Sequence, residues 1–177
     1  RIPEPFCVFA TQNPTGASGT QLLPDSQMDR FTVRLSIGYP APADEREILL
    51  SRQKGNPLLQ VRQVVTREEL LSMQQEAANV YLKPELAEYI VSLVGKTRQD
   101  PLIARGASPR ATLSLGAMAK SVAYVQGRDY VLPKDIQAVF VSTCAHRLLL
   151  SAEADAKGMR AEELLESILK STPAPRI

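Results

Sequence analysis

Hydrophobic and polar positions change rhythm partway along this chain. Up to about residue 65, apolar residues come in short runs set among Gly, Pro and β-branched residues. Phe6–Ala10 (FCVFA) is unbroken and too short for a helix, which predicts a strand buried on both faces. Thr11-Gln12-Asn13-Pro14 ends it, because Pro14 cannot continue the pattern. A polar loop with Gly16 and Gly19 leads to a short helix around Pro24–Arg30. Phe31, Val33, Leu35 and Ile37 then alternate with Thr32, Arg34 and Ser36, the period of a half-buried strand. After Pro40 and Pro42 a helix is predicted from Ala43 to about Gln53, stopped by Gly55 and Pro57.

From Thr66 onward the period becomes helical. Thr66-x-x-Glu69 is a capping box that opens a helix with Leu70, Met73, Ala77 and Tyr81 on one face. Pro84 suits the first position of the next helix, with Leu86, Ile90 and Leu93 inward. A polar loop, Thr97–Gly106, precedes the strongest helical pattern. There Ser108 is the N-cap, Pro109 the first helical residue, and Ala111, Leu115, Met118, Val122 and Val125 the stripe. Gly127 ends this helix in the left-handed position after the cap. Another starts at Pro133 with Ile136, Val139, Phe140 and Thr143 inward, and a last one covers about Arg160–Lys170. The division expected is a strand-containing segment over 1–65, a helical bundle over 66–170 and a frayed tail over 171–177.

Composition narrows the class. The 177 residues are 44% hydrophobic and 23% charged, which excludes disorder, collagen-like repeats and a disulfide scaffold. Aromatics are only 5% and Trp is absent, so the core must come from Leu, Ile, Val and Ala, which favours helices. A net charge of +2 is too balanced for a duplex-binding footprint, so no nucleic-acid partner is expected. The apolar runs are far shorter than the ~18 residues that suggest a membrane span, so no membrane insertion is expected. Cys7 and Cys144 lie far apart in apolar stretches, which predicts buried, reduced thiols and a cytoplasmic location. The chain begins at Arg1 rather than Met and enters an apolar run almost at once. A piece of a longer protein is therefore expected.

Candidate chemistry is sparse. Gly95-Lys96-Thr97 imitates the end of a phosphate-binding loop, but the glycine required five residues earlier is Ile90, inside a predicted helix. A helix C-terminus with a helpful Lys is the reading preferred there. One His and two distant Cys cannot supply a metal site, so none is expected. His146, beside Arg147 near a helix C-terminus, is read as a cation easing the helix dipole. Three polar residues remain. Asn13 lies just past the carboxyl end of a predicted buried strand, where ligands gather in parallel sheets, or forms an Asx turn before Pro14. Arg30 follows Asp29 at a helix-to-strand passage and is either functional or half of a surface ion pair. Arg110 sits in the first turn of a helix, where the dipole disfavours a cation. Either it is simply solvated, or a phosphate at that helix start removes the conflict.

Taken together, Phe6–Pro14, Gly19-Thr20, Leu23-Pro24-Asp25, Met28-Asp29-Arg30-Phe31 and Gly38-Tyr39-Pro40 resemble the central block of MoxR-type AAA+ ATPases. Gly106–Ala111, Gly127–Val131, Pro133-x-Asp135 and His146-Arg147-Leu148 resemble that family's helical lid, and the likeness runs from about Pro5 to about Leu169. It implies a mixed α/β, mostly α fold: the last two strands of an AAA+ parallel sheet plus an all-α helical lid bundle. It also implies that Asn13 is sensor 1, orienting the attacking water, that Arg30 is the arginine finger entering a neighbour's site, and that Arg110 is sensor 2. The implied setting is a homo-oligomeric ring, expected as a hexamer, that uses ATP and Mg²⁺ to remodel or mature a partner complex, metal-cofactor insertion included.

The family's phosphate loop and Mg²⁺-binding acids precede the first strand found here. This chain alone is therefore expected to be inactive and to hold no nucleotide tightly. In the implied strand order 5-1-4-3-2, the two strands retained are not neighbours. Self-association, strand swapping or a rearranged N-terminal third is expected from their bare edges. A non-enzymatic helical interaction module and a magnesium-chelatase-like motor subunit are the alternatives.

Overall fold

The computed structural model describes residues 2–12, 23–53 and 55–176. Its elements are α1 (Asp25–Met28), α2 (Pro42–Gln53), α3 (Arg67–Asn79), α4 (Pro84–Thr97), β1 (Ile103–Arg105) and α5 (Pro109–Val125). After these come α6 (Pro133–Cys144), β2 (Leu149–Leu150), α7 (Ala152–Ala156) and α8 (Ala161–Ser171). One-turn 3-10 helices follow α2 at Pro57–Gln60 and α6 at Ala145–Arg147. The mostly-α class expected from the sequence is what the chain adopts.

Each helix boundary has a local cause. The Thr66 side chain accepts from Glu69 N–H while Glu69 accepts from Thr66 N–H, completing the capping box of α3. Pro84, Pro109 and Pro133 each open a helix, where a missing N–H costs nothing. At the end of α5, Gly127 N–H donates to Tyr124 O and Arg128 N–H to Ala123 O, with Gly127 at φ 71°. This is the left-handed turn that a Cβ disfavours. Arg128 and Asp135 then close the α5–α6 loop with two parallel 2.7 Å bonds, and Asp135 also accepts from Leu132 N–H at 2.7 Å. Burial pushes the Asp135 carboxyl upward, but the guanidinium and the Leu132 amide outweigh it and leave the group below its ordinary value.

The core lies in the C-terminal half. Every buried apolar residue among those described falls between Val80 and Ile168. α5 and α6 form the central pair, with α3 and α4 against α5 and α8 against α4 and α6. Leu86, Ile90 and Leu93 face inward from α4, as do Ile136, Val139, Phe140 and Thr143 from α6. The buried stripe of α5 is Ala111, Leu115, Ala119 and Ala123, one residue in four, whereas Val125 is 83% exposed. A stripe made largely of alanine lets the backbones of α5 and its neighbours approach closely, so the long side chains beside it are left at the margin. α3 is anchored by polar contacts: Lys120 Nζ donates to Ala78 O at 2.9 Å and the Tyr124 hydroxyl to Glu76 at 2.8 Å. Its Leu70 and Met73 are only half covered, and Tyr81 lies past its end, paired with Tyr130 in an isolated bridge.

The expected strands Phe6–Ala10 and Phe31–Ile37 do not form as strands, a correction to the sequence reading. The only sheet among the described residues is β1 with β2, antiparallel, with Ile103 opposite Leu150 and Arg105 opposite Leu149. A strand needs a ladder partner, and no described strand pairs with either run. Phe6–Ala10 is exposed throughout, Phe9 at 91%, and Cys7 with it, whereas Cys144 is buried as expected. In the second run Phe31 and Val33 are half-buried, but Ile37 is 97% exposed. That segment is instead pinned to the bundle by Arg34, whose N–H donates to Ser142 O at 2.9 Å and whose guanidinium meets Glu162 at 2.7 Å. The tail is not wholly frayed, since Thr172 is buried and its hydroxyl donates to Ile168 O. No helix among the described residues is long and apolar enough to cross a membrane.

Among the glycines of the described residues, Gly106 marks the tightest backbone approach. A Cβ there would meet Thr97 O at 2.5 Å and Arg98 N and Cα at 2.7 Å, all backbone atoms. Gly106→Ala should cost about 2 kcal/mol through displacement of the loop that enters α5. Gly116→Ala, whose Cβ would meet only Ile90 Cδ1 at 3.9 Å, should stabilise by about 0.5–1 kcal/mol. Urea midpoints for the two variants check this, and equal midpoints would contradict the close approach.

Candidate functional site

α1 is a single turn. Pro24 O accepts from Gln27 and Met28 N–H, and the chain leaves the helix through Arg30 N–H to Gln27 O and Phe31 N–H to Met28 O. Asp29, Arg30 and Phe31 therefore lie in a tight turn with little regular structure to hold them. What holds them comes from the bundle.

Arg147, in the 3-10 turn after α6, has a side chain only 1% exposed. Its Nε donates to Thr143 O at 2.9 Å, one turn back. Nη1 donates to Asp29 O at 2.8 Å and to Asp29 Oδ1 at 2.9 Å. Nη2 donates to Phe31 O at 2.7 Å and to Ser114 Oγ of α5 at 3.2 Å. His146 adds its Nε2–H to Phe31 O at 3.0 Å. The carbonyls on both sides of Arg30 are thus gripped by one planar guanidinium.

Asp29 is also where the start of α5 meets this turn. Ser108 Oγ donates to Asp29 at 3.1 Å, so it does not cap α5. Arg110 Nη1 reaches Asp29 Oδ2 at 3.2 Å with its side chain 54% exposed. Arg30 is exposed and enters none of the ion pairs among the described residues; Asp29 pairs with Arg147 and Arg110 instead. Of the three residues singled out from sequence, Arg30 and Arg110 are thus brought to the same carboxylate-centred joint. Asn13 lies outside the described residues.

The Gly95-Lys96-Thr97 string is structural. Gly95 is inside α4, Lys96 Nζ donates to Ser171 O at 3.0 Å, and Thr97 Oγ1 accepts from Ala107 N–H at 3.0 Å. Among the described residues no group of three or more His, Cys, Asp or Glu could hold a metal ion.

Arg147 and Asp29 were not marked as site residues by sequence reasoning. A signal for Arg147 was available: Ile136, Phe140, Thr143 and Arg147 are spaced 4-3-4, so a charge continues an inward apolar stripe. His146 corrects the dipole reading. Burial lowers its pKa, and the charges of Arg147 and Arg34 lower it further against the raising effect of the Phe31 carbonyl. It is therefore a neutral, buried donor, whose Nδ1 has no partner among the described residues.

Comparison with known proteins finds relatives across nearly the whole chain. The family model described as AAA lid domain matches residues 95–168, and that described as ATPase family associated with various cellular activities (AAA) matches residues 1–33. The "Uncharacterized protein YeaC" of Bacillus subtilis is 38% identical over 175 residues, covering 99% of this chain and 55% of that protein. "Chaperone MoxR1" of Mycobacterium tuberculosis is 37% identical over 185 residues, covering 99% and 48%. A crystal structure from Cytophaga hutchinsonii, provisionally assigned as an ATPase, superposes with a TM-score of 0.90 at 34% identity, covering 99% of this chain and 56% of that one. The chain spans about half the length of the curated relatives it matches.

The lowered His146 pKa has a pH consequence. The unfolded imidazole, near 6.5, protonates first as pH falls, so stability is complete above about pH 6.5 and declines below it until the folded imidazole also protonates. Asp135 and Glu162, both held low, lose their contribution only below their ordinary values of 3.8 and 4.5. Chemical denaturation across this range should show a loss of stability beginning below about pH 6.5 that His146→Gln abolishes. An unchanged slope in the variant would rule His146 out as its source.

Proposed function

Because the chain belongs to the MoxR family of AAA+ ATPases, we propose that it supplies the finger and lid parts of a ring ATPase that remodels or matures a partner protein complex in the cytoplasm. The observation that carries this reading is the joint at Asp29, where the turn bearing Arg30 is seated on the start of the helix bearing Arg110. Phosphoryl transfer asks little covalent chemistry of a protein and much placement of charge, so two cations carried at one joint suit it. The mycobacterial relative is named a chaperone, which supports the remodelling role.

Arg110 acts on the nucleotide bound by its own subunit. It stands in the first turn of α5, whose N-terminal amides are not capped by Ser108, and a phosphate there would satisfy amides and dipole together. Arg30 is the arginine finger and serves the nucleotide of the next subunit, which requires an oligomer, a hexameric ring in this reading. Asn13 orients the attacking water.

When bound, ATP would supply the phosphoryl group and Mg²⁺ would offset its negative charge. The described residues offer Arg110 to the former and no ligand cluster to the latter. The 177 residues contain no glycine-rich phosphate loop, so the chain by itself is not expected to turn over ATP.

Two measurements test this. In the full-length protein with its phosphate loop, Arg30→Ala should lower kcat by about 10³-fold or more with nucleotide affinity unchanged, and unaltered turnover would remove the finger role. Calorimetric titration of the 177-residue chain with Mg-ATP should show no micromolar binding; a micromolar Kd would overturn its dependence on further segments.

A further inference from the structure

We propose that Arg147 is the positioning residue for Arg30, so that the arginine finger is carried by the lid bundle. This rests on the finger reading of Arg30 given above. Three observations carry it. First, α1 ends at Met28 and Phe31–Ile37 forms no strand, so Arg30 sits in a turn that its own neighbours hold only weakly. Second, the two peptide carbonyls that bracket it, Asp29 O and Phe31 O, both accept from Arg147, at 2.8 and 2.7 Å. Third, Arg147 is itself immobilised: its side chain is 1% exposed, and its remaining donors are taken by Thr143 O, Asp29 Oδ1 and Ser114 Oγ.

The guanidinium is suited to this by shape. Its donors lie in one rigid plane, so two acceptors on either side of a residue can be held at a fixed separation. A lysine offers the same charge from a single point on a flexible stem and cannot reproduce the fork. The grip acts on backbone and leaves the Arg30 side chain exposed, as a group that must reach beyond its own subunit requires. Misplacing a reacting group by about 1 Å can cost a hundredfold in rate. Loosening the fork should therefore reach catalysis without touching nucleotide binding.

The test uses the full-length ring. Arg147→Lys is expected to lower kcat about 100-fold, with nucleotide Kd and ring assembly unchanged. Combined with Arg30→Ala it should cause no loss beyond that of Arg30→Ala alone. Mixing Arg147→Lys subunits with subunits whose phosphate loop is disabled should restore turnover, because an intact nucleotide site then faces an intact finger. Full activity of Arg147→Lys, multiplicative losses in the double variant, or mixed rings that stay inactive would each overturn the proposal. If Arg147→Lys fails to assemble, Asp29→Asn replaces it in the same mixing experiment. It keeps the backbone carbonyl but weakens the ion pair, and a kcat loss of about 10-fold, restored by mixing, is expected; no loss, or no restoration, overturns the proposal. An Arg30→Ala ring with normal turnover would instead sink the finger reading itself. A dead Arg30→Ala ring beside an active Arg147→Lys ring would sink only the proposal made here.

Discussion

A guanidinium withdrawn from water must be surrounded by acceptors, and in this protein that requirement joins two distant parts of the chain. Arg147 is placed inside the bundle by the helical spacing of α6, and only one of its acceptors, Thr143 O, is supplied by its own helix. Leaving the others unmet would cost several kcal/mol. Ser114 of α5 meets one, and Asp29 and Phe31, more than a hundred residues earlier in sequence, meet the rest. The Met28–Phe31 turn therefore sits where it does because a charge in the bundle needs it. The arginine–carboxylate pair in which the carboxylate is the buried partner, Arg128 with Asp135, does a local job: it closes a loop of a few residues and has no reach beyond it.

Packing and polar anchoring divide the molecule differently from the way its helices do. The apolar core needs only the segment from Val80 onward, and alanines in α5 let its helices approach closely. The earlier segments are tied on by a few polar contacts: Arg34 to Ser142 and Glu162, Asp29 to the α5 start and Arg147, and Glu76 to Tyr124. Such contacts fix position but bury little apolar area. Ile37, Phe9 and Tyr39 stay almost fully exposed in consequence.

Helical features set by local chemistry were legible in the sequence. The Thr66 capping box, the three proline starts and the Gly127 turn depend on residues within one or two turns of each other, and all formed where the pattern placed them. Features set by distant partners were not legible. The strand expected at Phe31–Ile37 has the right alternation, but alternation specifies a face and cannot supply a ladder. The hairpin of β1 and β2 joins two- and three-residue pieces too short to carry any period. At the site, Arg110 drew notice because a cation conflicts locally with a helix start. Arg147 conflicts with nothing as a cation near a helix end; its place on the inward stripe of α6 is the one local sign, and the acceptors that show what it does are a tertiary fact.

Asp29 has two carboxylate oxygens, and the structure spends them separately. Oδ1 faces the buried Arg147, while Oδ2 faces the half-exposed Arg110. The first bond is shielded from solvent, whereas the second is open to water and to any competing anion. Exchange at Oδ2 can therefore proceed while Oδ1 stays bound. One small side chain works as a coupling with a permanent flange and a detachable one, so its turn keeps its seat on the bundle whichever anion Arg110 holds.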